Sequence, residues 1–174
     1  MVKIVAGKYK GHKLSTLSHD LVRPTSGIVR KSIFDSIGSI YDKTVLDLFG
    51  GIGSLSIEAL SRGAKRVTIV EKDRKVSRVL SKNLNSICSN DTFIIHTYDV
   101  FSFIKREIET YDIIFADPPY SFSNHLGIRE NIGSLLNTNG IFCMEVPKRI
   151  ETDGFEEKVR RFGNTKVIFW RNKI

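Results

Sequence analysis

Short apolar runs alternate with amphipathic stretches through the middle of the chain. The runs predict buried strands at TVLDLF (44–49), RVTIVE (66–71), TFIIHTYD (92–99), YDIIFAD (111–117) and GIFCMEV (140–146). The intervening segments predict helices near 53–62, 73–86, 100–108 and 127–136. Apolar strands separated by helices are typical of a parallel sheet that is covered on both faces. With right-handed crossovers, the pattern predicts a doubly wound α/β fold.

The two ends of the chain depart from this alternation. Residues 1–14 carry four lysines and two glycines, which predicts a short basic hairpin. A helix is predicted over residues 28–37, and Gly38 is its expected stop. At the other end, FEEKVRRFG and TKVIFWR predict an antiparallel hairpin that turns at Gly163-Asn164. We therefore expect an N-terminal basic extension (1–40) followed by a main domain (41–174).

Composition narrows the class of protein and its partners. A chain of 174 residues that is 41% hydrophobic suits one domain with a substantial core. Its net charge of +8 favours nucleic acid or another anionic partner. The sequence shows neither an apolar signal-peptide core nor a run of about 20 apolar residues. We therefore expect a cytoplasmic protein, no membrane partner, and reduced thiols at Cys88 and Cys143. The histidines and cysteines show no metal-binding spacing.

Acidic residues lie at or near the ends of four successive predicted strands. They are Asp47, Glu71, Asp99 and Asp117. Ligands of open α/β sheets bind outside the carboxyl ends of the strands, where these acids would meet. An acid after a strand can also be a helix cap. Four in succession favour a binding edge over four separate caps.

The glycine loop after the first predicted strand indicates a nucleoside-containing cofactor. Gly51 and Gly53 allow a tight turn and close approach of a ligand to the backbone. Glu71 follows Gly53 by about 18 residues, the separation at which a carboxylate meets ribose hydroxyls. The third glycine of the dinucleotide fingerprint is replaced by Ser56, and Asp47 would repel a pyrophosphate. These charges favour S-adenosylmethionine, which has an ammonium and a sulfonium but no phosphate. Asp47 would hold its methionine end, Glu71 its ribose and Asp99 its adenine.

Several segments together resemble a known family. They are IVAGKYKGHKL, RPTSGIVRKSIFDSI, DLFGGIG followed by EALSRGA, IVEKD and FADPPY. In combination they resemble the bacterial 16S ribosomal RNA guanine-N(2)-methyltransferases of the RsmD type. The resemblance implies a Rossmann-like class I methyltransferase fold, with a mostly parallel seven-stranded sheet, a C-terminal antiparallel hairpin and a small N-terminal extension. Gly50 and Ile52 depart from the family's usual alanine and small hydroxyl residue, so a side-chain contact from position 52 to the cofactor is not expected.

The resemblance also implies a substrate and a set of site residues. The substrate would be the 2-amino group of a guanine in 16S ribosomal RNA, within small-subunit particles, and the enzyme would act as a monomer. The implied cofactor residues are Asp47, Phe49, Gly51, Gly53, Glu71, Lys72, Asp99 and Val100. The implied catalytic residues are Asp117, Pro118, Pro119 and Tyr120.

The stretch ADPPYSF (116–122) fits amino-group chemistry. The carboxylate of Asp117 and the carbonyl of Pro118 would accept the two N–H bonds of the target amine. Prolines fix φ and so hold such a carbonyl in place. Tyr120 would stack on a base that has left its own stack.

Basic residues of the N-terminal part are the expected RNA contacts, because phosphates dominate affinity for RNA. The predicted set is Lys3, Lys8, Lys10, His12, Lys13, Arg23, Thr25 and Arg30.

Other functions stay open at this point. The nearest is methylation of an adenine in RNA or DNA, or of a protein glutamine, because those enzymes share an X-Pro-Pro-aromatic loop. A noncatalytic RNA-binding module with the same fold and a nicotinamide enzyme are further alternatives. The intact set of acids disfavours the noncatalytic module, and Ser56 and Asp47 disfavour the nicotinamide enzyme.

Overall fold

A computed structural model describes residues 1–17, 25–151, 154 and 156–173. The helices are α1 (Gly27–Ile37), α2 (Ser54–Ser61), α3 (Arg74–Ile87), α4 (Val100–Ile104) and α5 (His125–Asn131), with a short 3-10 helix at Gly133–Leu135. The strands are β1 (Thr44–Asp47), β2 (Arg66–Val70), β3 (Phe93–His96), β4 (Tyr111–Ala116), β5 (Leu136–Pro147), β6 (Lys158–Phe162) and β7 (Thr165–Arg171).

The strands form one seven-stranded sheet in the order β3-β2-β1-β4-β5-β7-β6. The first five are parallel, whereas β7 pairs antiparallel with both β5 and β6. Successive strand residues point to opposite faces, and each face carries its own core. One core joins the sheet to α1, α2 and α3, and the other joins it to α4 and α5. The predicted fold, with helices on both faces and a C-terminal antiparallel hairpin, is confirmed.

Several predicted boundaries were wrong. The helix predicted near 127–136 ends at Asn131, and β5 is longer than predicted because it already pairs with Tyr111 at Leu136. The pairing then shifts register before continuing from Ile141. The helix predicted over 100–108 stops at Ile104, because the Glu107 carboxylate accepts the N–H groups of Ile108 and Glu109 and forms a turn instead.

The N-terminal segment is a minimal hairpin that is fastened to α2. Lys3 and Lys13 form a single antiparallel bridge. The buried carboxylate of Glu58 accepts the N–H groups of Val5 at 2.7 Å and Ala6 at 2.9 Å. Gly7 has φ of 80°, and a Cβ there would lie 2.0 Å from the carbonyl oxygen of Ser61. The hairpin therefore packs closely on the helix that follows the glycine loop.

None of the helices within the described ranges has both the length and the apolar character that a membrane span requires.

Candidate active site

The four strand-end acids lie at one edge of the sheet. Asp47 is the last residue of β1, Glu71 and Asp117 directly follow β2 and β4, and Asp99 lies just beyond β3. Because the strand order is β3-β2-β1-β4, the acids form a row that runs from Asp99 through Glu71 and Asp47 to Asp117. The sequence predicted this shared edge, and the topology adds the order of the row.

Asp47 is buried and is held by a serine that the sequence analysis did not assign to the site. The Ser56 hydroxyl donates to Asp47 at 2.6 Å, and the Phe49 N–H approaches the same carboxylate at 3.4 Å. Burial raises the pKa of Asp47 to about 6. Ser56 occupies the position where the dinucleotide fingerprint has its third glycine, and that difference was the signal for this contact. Here the position supplies a hydroxyl donor to an acid.

Glu71 ties the glycine loop to the start of α3. One carboxylate oxygen accepts the N–H of Gly51 at 2.9 Å, and the other accepts the N–H of Asp73 at 2.8 Å. Burial raises the pKa of Glu71 from its ordinary value. Gly53 has φ of 93°, and a Cβ there would lie 2.8 Å from a Leu80 methyl group. The loop and the carboxylate are thus fixed relative to each other, as a site for a ribose and a bare-backbone contact requires.

The two departures from the family motif have simple packing explanations. A Cβ on Gly50 would lie 2.4 Å from a γ-carbon of Ile69, so this neighbour occupies the space that an alanine methyl group would need. Ile52 is buried in the core, and its carbonyl accepts the side-chain N–H of Asn83. The side chain of Ile52 therefore belongs to the core.

Asp99 is the N-cap of α4. Its Oδ1 accepts the N–H groups of Phe101 at 3.0 Å and Ser102 at 3.2 Å. The capping role that strand-end acids often have thus applies to Asp99, and its contact with adenine stays a prediction. Lys72 is exposed and Val100 is buried beside this position.

Phe122 links the predicted target loop to the cofactor side. Its ring lies edge-on to Phe49 at 5.3 Å and to His125 at 5.3 Å, and stacks with Phe101 at 6.3 Å between centroids. Burial lowers the pKa of His125, which favours a neutral imidazole. The sequence analysis did not assign Phe122 or His125, although Phe122 belongs to the quoted ADPPYSF stretch.

The loop after β4 presents an acid and an exposed ring. Asp117 is half-buried and accepts a hydrogen bond from the hydroxyl of Thr25. The Pro119 carbonyl accepts the Phe122 N–H at 2.8 Å, and the acceptor role of the Pro118 carbonyl stays a prediction. Tyr120 is 55% exposed, as a platform for an incoming base must be.

The predicted RNA-contacting residues divide into an exposed group and a buried pair. The exposed group is Lys3, Lys8, Lys10, His12 and Lys13. Lys8 also pairs with Asp91. Arg23 lies outside the described residues.

Thr25 and Arg30 correct the prediction of direct RNA contact, because both are buried. The Arg30 guanidinium donates to the carbonyl groups of Thr25 and Lys3, each at 2.6 Å. It therefore holds two backbone segments together, and only 2% of its surface is exposed. Above it lies an open groove of about 400 Å³ between residues 1–5 and the start of α1.

Among the described residues there is no group of three or more histidine, cysteine, aspartate or glutamate side chains arranged to hold a metal ion. Cys88 and Cys143 are both buried free thiols.

Comparisons with known proteins agree with this architecture. The family model described as conserved hypothetical protein 95 matches residues 2–171. Ribosomal RNA small subunit methyltransferase D of Haemophilus influenzae is 37% identical over 142 residues, which cover 79% of this chain and 72% of that protein.

Two solved structures share the fold. A hypothetical protein of Thermus thermophilus has a TM-score of 0.86 at 25% identity, with 98% of this chain and 99% of that chain covered. An RNA methyltransferase of Salinibacter ruber, in complex with S-adenosyl-L-homocysteine, has a TM-score of 0.69 at 16% identity, with 86% and 94% covered.

A putative methylase of Haemophilus influenzae has a TM-score of 0.80 at 29% identity, with 98% of both chains covered. Together with the sheet order, this likeness defines the class: the chain has the Rossmann-like fold of the class I methyltransferases. Within that class, the match over residues 2–171 and the 37% identity show that the chain belongs to the RsmD family, that of conserved hypothetical protein 95.

Proposed function

We propose that the protein transfers a methyl group from S-adenosylmethionine to the 2-amino group of a guanine in 16S ribosomal RNA of the small subunit. The observation that carries the proposal is the row of acids, in which Asp117 of the Asp-Pro-Pro-Tyr loop lies next to the buried Asp47 of the glycine loop. The name of the Haemophilus relative supports ribosomal RNA of the small subunit as substrate. The S-adenosyl-L-homocysteine in the Salinibacter structure supports the cofactor.

The charges of the cofactor side fit this cofactor. The Asp47 carboxylate suits the ammonium of the methionine end, directly or through water. Glu71 offers carboxylate oxygens to the ribose hydroxyls, and the edge near Asp99 and Val100 receives the adenine. Gly51 and Gly53 let the cofactor lie against backbone. When bound, S-adenosylmethionine supplies a methyl group on a good leaving group.

The target side must orient a weak nucleophile. The guanine 2-amino group is conjugated with the ring, so its lone pair has to be turned toward the methyl group. The Asp117 carboxylate accepts one N–H and the Pro118 carbonyl accepts the other, and Tyr120 stacks on the base. Correct positioning of this kind can supply about 7–11 kcal/mol of a barrier in favourable cases. After transfer, the extra proton leaves to Asp117 or to water.

The exposed basic residues of the N-terminal hairpin supply the contacts to RNA phosphates. Lys3, Lys10, His12 and Lys13 lie on a segment that is fastened to the main domain through Glu58. A rigid basic arm of this kind can set the register of the RNA without reading its sequence.

The proposal is tested by offering labelled S-adenosylmethionine and the purified protein to several acceptors. These are small-subunit particles that lack the modification, naked 16S RNA, double-stranded DNA and total protein. We expect label in the 16S RNA of particles. Label in DNA or protein would favour the other amino-group methyltransferases that share the loop, and cofactor binding without any transfer would favour a noncatalytic RNA-binding module.

A further inference from the structure

The hydrogen bond between Thr25 and Asp117 joins two parts of the chain that are 92 residues apart. Thr25 is 7% exposed, so its hydroxyl is shielded from bulk water. It lies directly before Ser26, whose side chain caps α1 by accepting the Val29 N–H at 3.2 Å. The start of α1 therefore fixes where the Thr25 hydroxyl points.

Both ends of this contact rest on packed structure. On one side, the guanidinium of buried Arg30 donates hydrogen bonds to the carbonyl groups of both Thr25 and Lys3. On the other, α1 packs against β4, the strand that Asp117 directly follows, with the Phe34 and Phe115 rings edge-to-face at 5.6 Å. The Thr25 hydroxyl and the Asp117 carboxylate are thus held at a fixed separation by the helix and the strand that carry them.

We propose that Thr25 is a positioning residue for Asp117. Its hydroxyl donates to one carboxylate oxygen, Oδ2, and so sets the plane of the carboxylate that receives the target amine. The same bond favours the ionised carboxylate over the protonated acid, because a donor stabilises the charged form. The inference rests on the proposed function for the identity of the amine, and it gives Thr25 a role different from the RNA contact that its sequence position suggested.

The charged and titratable surroundings of Asp117 come from neighbouring strands. Cys143 lies on β5, and its pKa is raised well above the ordinary value, first by burial and then by Asp117 and Glu145. That thiol therefore stays protonated across the working range. Asp47, at the end of the adjacent β1, has a pKa that burial raises to about 6, so the charge of this neighbouring carboxyl also changes with pH.

The test compares Thr25→Val, which removes the hydroxyl at nearly constant volume, with Thr25→Ser, which keeps it. We expect Thr25→Val to lower kcat for methyl transfer by about 10- to 100-fold, the size of effect that misplacing an oriented group produces. Cofactor affinity should be unchanged, and Thr25→Ser should recover most of the rate. The acid limb of the kcat profile should move to higher pH in Thr25→Val, because the lost donor no longer favours the ionised carboxylate.

A matched control exists at the amino ends of the strands, which is the end of the sheet opposite the row of acids. The Thr44 hydroxyl donates to the Asp112 carboxylate at 3.0 Å, so Thr44→Val removes a similar threonine–aspartate bond far from the site. Thr44→Val should leave kcat and its pH profile at wild-type values. A loss of rate in Thr44→Val equal to that in Thr25→Val would show that the effect is general loss of structure and would overturn the proposal.

A direct measurement separates this inference from the proposed function. The carboxyl carbon of Asp117, labelled with ¹³C and assigned with Asp117→Asn, reports its pKa without any substrate. We expect a higher pKa in Thr25→Val than in wild type. Equal pKa values with equal kcat would overturn the positioning role even if the protein methylates RNA as proposed, whereas an inactive wild-type protein with the expected pKa change would count against the function alone.

Discussion

The three acids assigned to the cofactor accept hydrogen bonds from groups nearby in sequence. Asp117, the acid assigned to the target base, accepts one from a residue that is distant in sequence. Glu71 accepts the N–H groups of Asp73 and of Gly51, which is 20 residues away. Asp99 accepts N–H groups from the first turn of its own helix. Asp47 accepts the hydroxyl of Ser56, which is 9 residues away. Asp117 is bonded by Thr25, 92 residues away. The cofactor half is thus assembled within the first three strand–helix units, while the target half needs the N-terminal segment to be docked.

This difference predicts that the two halves fail separately. Changes at the acids of the cofactor loop should weaken cofactor binding, and changes around Asp117 should slow transfer at saturating cofactor. The N-terminal segment should affect RNA and catalysis but leave cofactor affinity intact. Each of the following changes breaks one half while the other is measured.

The largest effect is expected from Asp117→Ala. Without the carboxylate, nothing opposite the Pro118 carbonyl orients the amine, so we expect kcat to fall by at least about 100-fold. Cofactor affinity, measured by calorimetry, should stay within about twofold of wild type. Turnover close to that of wild type would remove Asp117 from the mechanism.

The next largest effect is expected from Glu71→Gln. The amide keeps the shape but loses a charged acceptor for the ribose and for the Gly51 N–H. Hydrogen bonds to charged groups contribute about 1.5–3 kcal/mol, so we expect cofactor affinity to fall by about 10- to 100-fold. The exposed Glu130→Gln is the control and should bind cofactor like wild type. Unchanged affinity in Glu71→Gln would contradict the ribose assignment.

Asp47 should make cofactor binding depend on pH. Its pKa of about 6 in the folded protein lies above the ordinary 3.8, so the carboxylate takes up a proton as the pH falls through 6. Affinity for the cationic end of the cofactor should then weaken by up to about tenfold per pH unit below 6. In Asp47→Asn this dependence should become weaker, with the remainder coming from Glu71, whose pKa is also raised.

Lower pH should weaken cofactor binding through Asp47, but in the absence of cofactor the raised pKa of Asp47 makes lower pH favour the folded state. The folded state holds the Asp47 proton more tightly than the unfolded chain does, so this group favours folding increasingly as the pH falls from about 6 toward 4. The difference in unfolding free energy between wild type and Asp47→Asn should change in that window. No pH dependence of this difference would contradict the raised pKa.

The smallest effect is expected from the exposed lysines of the hairpin. Deleting the hairpin would leave the Glu58 carboxylate without its Val5 and Ala6 donors, so substitution is the cleaner test. The Lys10→Ala, Lys13→Ala double variant should weaken RNA binding and reduce its salt slope by about 1 per lysine. The control pair is Lys65→Ala, Lys105→Ala, two exposed lysines outside the hairpin. Equal salt slopes in the two pairs would remove the hairpin from the RNA interface.

The sequence predicted the fold and the acidic edge because both depend on local pattern. Apolar runs and the glycine loop are visible in short windows, and parallel strands bring their ends together whatever the details of packing. Burial of Arg30 and the Thr25–Asp117 bond were not predictable in this way. They depend on how the N-terminal segment docks on α1 and α2, and a basic or hydroxyl residue near the N-terminus looks the same in sequence whether it faces RNA or the core.

The most direct test of methyl transfer to guanine is the identity of the methylated nucleoside. Small-subunit particles that lack the modification are incubated with the protein and S-adenosylmethionine. The 16S RNA is then digested to nucleosides, which are separated by chromatography and identified by mass spectrometry. We predict one new product, N(2)-methylguanosine, that is absent with Asp117→Ala. Methylated adenosine, or a methylated guanosine that persists with Asp117→Ala, would contradict the proposed chemistry.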